Sequence, residues 1–372
     1  MQYFNRGLLI TVLVAVVVGG GAGVVTSIAT SRSLDDYANT LLGDRGFLAW
    51  EPRKPNSNPL DYANATNKVR EAQSRSLAVI TLKSTDTLSP ANWIGPESAV
   101  GLGVVASANG WILTTKDELG SVQNPKTSLE VWIRGTRYTI AEQVNDDATP
   151  YVLLKLAEAN GLTPLAFGAS EDAANGDMVF GLSAATGFVA TTVQNTELPI
   201  ISGPHQAEAY AGAWELAEAS ALPGPVLSTA GEMLAFVTKS GEAVPVHHGV
   251  DFIQDTLRSG VTTRASLGAY VVDIADVYNL DSQLRQGLST GALVLAPAGK
   301  IAVPTGTPAA AAGLLARDII TAVDGEAITP EVSLAEILAT YNPGQTARFS
   351  VVRAQAPLEL TVILGDAATL VY

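Results

Sequence analysis

The segment Ala99–Leu119, AVGLGVVASANGWILTTKDEL, constrains this chain more than any other. Val104-Val105 and Trp111-Ile112-Leu113 are runs suited to strands, and Ala108-Asn109-Gly110 between them supplies a turn that tolerates positive φ. The segment reads as a β-hairpin that empties into a polar loop at Lys116-Asp117-Glu118. Comparable short apolar runs recur at Leu77–Leu82, Gly101–Ala106, Trp111–Thr114, Leu129–Ile133, Tyr151–Leu156, Met178–Leu182, Gly187–Val193, Val226–Leu227 and Met233–Val237, with Gly, Pro, Asn and Asp between them. Many short strands at this spacing predict an all-β barrel or sandwich. Short helices are expected on either side, over Asn67–Ser74 and Phe252–Arg258.

From Thr263 to Gly365 the pattern changes. Ser333–Tyr341, SLAEILATY, sets Leu334, Ile337 and Leu338 on one helical face behind a Ser333 N-cap. Strands are expected around it at Gly291–Ala296, Ile319–Val323, Ala347–Val352 and Leu358–Leu364, which makes a small mixed α/β domain.

Before the β-rich region lies a segment of a different kind. Leu8–Thr30 carries no charged residue and as a helix would be about 35 Å long, enough to cross a bilayer core. Arg6 before it, and Asp35 and Asp36 soon after it, favour an N-terminus in the cytoplasm and the bulk of the chain outside. The proline- and asparagine-rich Glu51–Leu60 reads as linker within a stalk.

Composition narrows the function classes. Apolar residues make up 47% of the 372 and charged residues only 16%, so general disorder is excluded. A net charge of −14 with no basic cluster argues against a nucleic-acid partner. The absence of cysteine removes disulfides, thiolate catalysis and thiolate metal sites. His205, His247 and His248 lack the His-x-x-x-His spacing of a helical metal site, and they read as surface or loop residues. No metal and no cofactor is expected.

Val100–Thr115, Thr149–Leu156, Pro164–Gly181, Leu222–Leu227 and Gly231–Val237 resemble, in order, segments of the HtrA/Deg family of trypsin-like serine proteases. Ser266–Ala269, Gly291–Val294, Thr307–Leu314 and Arg317–Gly325 resemble a PDZ domain in the circularly permuted bacterial order. The resemblance implies a mainly β protein. Residues 1–32 would form a transmembrane anchor, 33–66 a stalk and 67–260 a trypsin-like double β-barrel. Residues 263–366 would form an α/β PDZ domain and 367–372 a tail. It also implies a trimer, of one chain or mixed with HtrA-like relatives.

The family's triad falls on Asp117, Pro150 and Leu222, and none of these can take its part. Serine-protease chemistry needs a hydroxyl nucleophile, an imidazole to accept its proton and a carboxylate to orient that imidazole. Asp117 is a weak base at neutral pH, Pro150 has no carboxylate, and Leu222 has no nucleophilic atom. Pro223 also removes a backbone donor where the oxyanion hole would form. A displaced Ser220–His205–Glu218 set and Ser228 can be written down but read as polar surface, and Asp117-Glu118 with Asp146-Asp147 read as solvated loop acids.

Binding remains. The resemblance assigns Ser266, Leu267, Gly268 and Ala269 to a loop that captures a terminal carboxylate, and Leu334, Ile337 and Leu338 to the apolar pocket beside it. The chain's own end, Ala368–Tyr372, has the form of such a ligand. The expectation is a membrane-anchored, proteolytically inactive adaptor or regulatory subunit that reads protein or peptide C-termini in envelope protein quality control. An active endopeptidase using displaced residues and a structural envelope subunit are the alternatives.

Overall fold

The structure, a computed structural model, describes residues 62–83, 95, 98–122, 124–146, 148–183, 187–199, 203–210, 212–217, 223–260, 263–330 and 332–370. The segment Leu8–Thr30, the linker and Leu222 lie outside these residues. Among the described residues no helix is long and apolar enough to cross a membrane.

Helix α1 (Tyr62–Ser76) opens the described chain, earlier than the expected Asn67–Ser74, and buries Ala65 and Val69. A closed barrel follows, built from β1 (Leu77–Leu82), β2 (Ala99–Val105), β3 (Trp111–Thr115), β4 (Leu129–Ile133), β5 (Thr136–Asn145) and β6 (Tyr151–Leu156). Its strands pair in the order β1-β2-β3-β6-β5-β4. The hairpin seen in the sequence is β2–β3, with Val104 opposite Leu113 and Val105 opposite Ile112. Gly110 takes the turn at φ +95, where a Cβ would stand only 2.6 Å from the Ala159 side chain.

Alternation along each strand explains why β3 and β6 are apolar on both faces. Ile112, Val152, Leu154 and Leu156 fill the inside of this first barrel. Trp111, Leu113, Tyr151 and Leu153 face outward into a second cluster shared with Phe180, Leu227 and Phe236. Those partners belong to a second closed barrel, made of β7 (Met178–Ser183), β8 (Gly187–Pro199), β10 (Gly212–Leu216), β11 (Gly224–Leu227), β12 (Met233–Val237) and β13 (Ala243–Pro245). Its order is β10-β13-β12-β11-β7-β8. Closure leaves neither barrel with an open sheet edge. One buried hydrogen bond stitches the seam, from Tyr151 Oη to the Val244 carbonyl at 2.7 Å.

Between β8 and β10 the chain leaves the second barrel to form the short strand β9 (His205–Gln206). After β13 come a 3₁₀ turn (Val246–Gly249) and helix α2 (Val250–Ser259). The last module contains β14 (Ala265–Ser266), β15 (Tyr270–Asp273), β16 (Ala292–Val294), β17 (Ile319–Val323), β18 (Glu326–Ala327), β19 (Thr346–Arg353), β20 (Ala356–Ile363) and β21 (Gly365–Asp366). Helix α3 (Leu334–Ala339) packs on it, and Ser333 caps that helix in a reciprocal capping box with Glu336, as the sequence predicts. The main sheet runs β20-β19-β17-β16-β15-β9, so its final strand is borrowed from the second barrel's excursion.

Candidate functional site

The seam between the barrels is where a trypsin-like fold carries its chemistry. Thr115 pairs with Tyr151, and the Lys116 N–H donates to the Pro150 carbonyl at 2.8 Å. Asp117 and Pro150 are thus brought to neighbouring loops by strand register, with no imidazole at one and no carboxylate at the other. Lys116 Nζ crosses to the carbonyls of Asp146 at 2.5 Å and Thr149 at 3.1 Å, tying the two loops together. Asp117 itself is exposed. On the opposite wall, Gly224 at φ +135 packs so closely that a Cβ would lie 2.7 Å from the Leu182 carbonyl and 3.0 Å from Leu102.

The acids near this seam differ from the solvated pairs expected. Glu118 is 2% exposed, and its Oε2 accepts the Leu102 N–H at 2.7 Å. Burial raises its carboxyl above the usual value, against the lowering effects of the Leu102 hydrogen bond and Lys239. Asp146 is also buried and accepts hydrogen bonds from Thr149 Oγ1 at 2.7 Å and from Arg264 at 3.3 Å. Both residues bind segments together; neither faces water as a loop acid. Asp147 lies outside the described residues.

Of the displaced catalytic set, only His205 lies among the described residues. His205 sits on β9, its Nδ1 3.0 Å from the Gly203 carbonyl and its Nε2 3.9 Å from Asp273. Ser228 Oγ accepts the N–H groups of Ala230 at 3.1 Å and Glu232 at 3.2 Å, the work of a turn residue. Ser220 and Glu218 lie outside the described residues. The other two histidines are not on the surface: His248 is 6% exposed and His247 is half-buried, both in the turn after β13.

The residues assigned to peptide recognition do come together. Leu267 and Ala269 share one buried apolar cluster with Leu334, Ile337 and Leu338, and Ala207 lies in the same cluster. Ala207 arrives on the strand excursion. His205 pairs with Val271 and Gln206 with Tyr270 in antiparallel register, and the Ala207 N–H donates to the Ala269 carbonyl at 3.0 Å. Next to it, Glu208 Oε1 accepts the Ser266 hydroxyl at 2.8 Å. An added antiparallel strand, a small apolar side chain against the pocket and a carboxylate at the loop are the features of a bound peptide end. Here the protein's own segment 205–208 supplies all of them.

Sequence reasoning missed this occupant, because a two-residue strand has no periodicity to read. Among the described residues the β15 edge is held by β9. Leu370 lies near the loop, its Cδ1 3.3 Å from where a Cβ on Gly268 would stand. Val371 and Tyr372 lie outside the described residues.

Comparison with known proteins agrees with this geometry. A PDZ-domain family model matches residues 260–364. The "Probable periplasmic serine endoprotease DegP-like" of Hahella chejuensis is 25% identical over 297 residues, covering 73% of this chain and 58% of that protein. The periplasmic pH-dependent serine endoprotease DegQ of Escherichia coli is 25% identical over 298 residues, 74% of this chain and 61% of its own length. This chain therefore spans about three-fifths of these relatives. In fold, it is similar to the HtrA-type protease AlgW with decapeptide, at a TM-score of 0.55 and 21% identity over 82% of this chain and 99% of that one. Paired barrels and sequence matches make this chain similar to the HtrA/DegP-like serine proteases, and its residues 260–364 match a PDZ domain.

Proposed function

We propose that this protein is proteolytically inactive and acts by binding protein or peptide C-termini through its PDZ domain. It would serve as an adaptor or regulatory subunit in envelope protein quality control. In this reading Leu8–Thr30 anchors it in the membrane as a single-pass segment with a cytoplasmic N-terminus, and it works alone or in a homo- or hetero-trimer with HtrA-like relatives. The periplasmic relatives support an extracytoplasmic bulk.

The observation that carries the reading is that the Lys116 N–H donates to the Pro150 carbonyl at 2.8 Å, which sets Asp117, the next residue, on the loop beside Pro150. The resemblance aligns these loops with the family's base and its orienting acid, and Asp117 and Pro150 can perform neither role. Binding is supported by the apolar cluster that joins Leu267 and Ala269 to Leu334, Ile337 and Leu338, and by the Ser266 hydroxyl, which donates to the Glu208 carboxylate. The groove is filled by segment 205–208, so an external C-terminus must displace it, and affinity falls with the fraction of molecules in which the groove is open.

The test is fluorescence anisotropy with a labelled peptide ending in Leu-Val-Tyr, titrated with the full chain in detergent micelles. Saturable binding by the free carboxylate form, lost in the C-terminal amide, is expected. Equal binding of acid and amide, or no saturation, overturns the adaptor reading and leaves a structural role.

A further inference from the structure

Between the second barrel and the PDZ domain lies a cavity of about 330 Å³, lined by Ser170, Tyr210, His247, His248, Ser333 and Glu336 among others. The histidines come from the turn after β13 and Glu336 from the first turn of α3, so the cavity spans both modules. A ring nitrogen of each histidine and a carboxylate oxygen of Glu336 all lie within 4.8 Å of one another. We infer that this cavity is a binding site for a divalent transition metal of the zinc class, with His247, His248 and Glu336 as its protein ligands.

The donor set fits that chemistry. Two imidazoles and one carboxylate, with a fourth position open to a cavity, form a recognised zinc arrangement. Bonds of about 2.0–2.1 Å in a tetrahedron put ligand atoms roughly 3.3 Å apart, so small side-chain rotations close the site.

Each ligand is also held from behind. His247 Nδ1 lies 2.8 Å from Ser170 Oγ, which leaves Nε2 for a metal. The Tyr210 ring stacks on His248 at 4.3 Å between centroids. Glu336 spends Oε2 on the helix cap, accepting from Ser333 N at 2.7 Å and Ser333 Oγ at 3.0 Å, which leaves its other oxygen.

Two buried polar atoms on residues that line the cavity lack partners, and one of them lies outside the cluster. The Nδ1 of His248 is fully buried with no hydrogen-bond partner among the described residues. So is Oδ1 of Asp273, a carboxylate that also lines the cavity. An unsatisfied buried polar atom costs about 1–3 kcal/mol, and a native protein keeps few of them without a ligand or ion to explain them. Asp273 and Asp276 line the same cavity and make its field negative, while Arg264, near His248, is engaged by Asp146.

A metal here would bridge the second barrel to the helix that walls the recognition groove. Its direct test is zinc titration calorimetry on the EDTA-stripped full chain in micelles, with cobalt(II) absorption as a geometry readout. One equivalent bound, with tetrahedral cobalt bands, is expected. Glu336→Gln preserves the helix cap through its amide oxygen, and His247→Gln leaves the buried His248 in place. Each should weaken zinc affinity at least about tenfold while thermal unfolding of the metal-free variant stays near that of the parent. No stoichiometric uptake by the parent, or uptake that both variants retain at parental affinity, overturns the assignment.

Discussion

Glu118 shows how a single buried carboxylate can serve structure. Its carboxylate bridges the loop after β3 to the Leu102 backbone in a place where water does not reach. Burial raises its pKa above 4.5, so the folded state holds the proton more tightly than the unfolded chain. Its stabilising contribution is therefore complete below 4.5 and is lost as pH rises through the raised value. Glu118→Gln removes that loss, so in urea titrations the variant should gain on the parent as pH moves from 4.5 toward 7. His247 has the opposite sign. With a folded value of about 4 against 6.5 unfolded, its contribution is present above 6.5 and is lost as pH falls through about 4. In EDTA, His247→Gln should lose less stability than the parent between pH 6.5 and 4 in the same assay. Asp117 and Pro150 were readable from sequence because they sit just beyond strands whose apolar runs fix the register. The burial of Glu118, Asp146 and His248 was not, because only the folded chain brings Leu102, Arg264 and Tyr210 against them.

Elements divide the same way. Strands β3 and β6 were legible because one face fills a barrel and the other fills the seam, so nearly every residue is apolar. Strand β5 was missed because only Ile140 is buried among its ten residues, and TRYTIAEQVN carries too little alternation to stand out. Strand β9 has two residues and exists because Tyr270 and Val271 offer it an edge. Ala207 is where that excursion is most vulnerable. Ala207→Asp puts a charge among Leu267, Leu334, Ile337 and Leu338 with no partner to neutralise it. The segment should leave the groove, and affinity for a Leu-Val-Tyr C-terminal peptide should rise by at least about tenfold in anisotropy titrations. Unchanged affinity would mean that segment 205–208 does not compete for the site.

At the scale of the whole molecule, the PDZ domain is docked on the barrels by more than a linker. Arg264, just before β14, pairs with Asp146 of the first barrel and lies over the Tyr210 ring at 5.6 Å from its centroid. Tyr210 in turn packs with Ala148 and with Ala335 of α3. The pair is buried on both sides, so removing one partner strands the other without water. Arg264→Ala should cost about 3 kcal/mol and split the urea transition into separate barrel and PDZ steps, measured by circular dichroism and tryptophan fluorescence together. The two-module plan was visible in the sequence as a shift from strand runs to a capped helix among strands. The docking was not, since it depends on residues scattered from Asp146 to Glu336 that only the folded chain assembles.

The central claim is that this trypsin-like fold performs no hydrolysis, and its most direct measurement is covalent labelling by a fluorophosphonate probe. The full chain in micelles would be treated alongside an active DegQ-type protease and analysed by intact mass. The account predicts labelling of the active enzyme and none of this chain, because Leu222 offers no nucleophile and Asp117 with Pro150 offers no base to activate another. A stoichiometric adduct on any serine of this chain, abolished by heat unfolding, would contradict it.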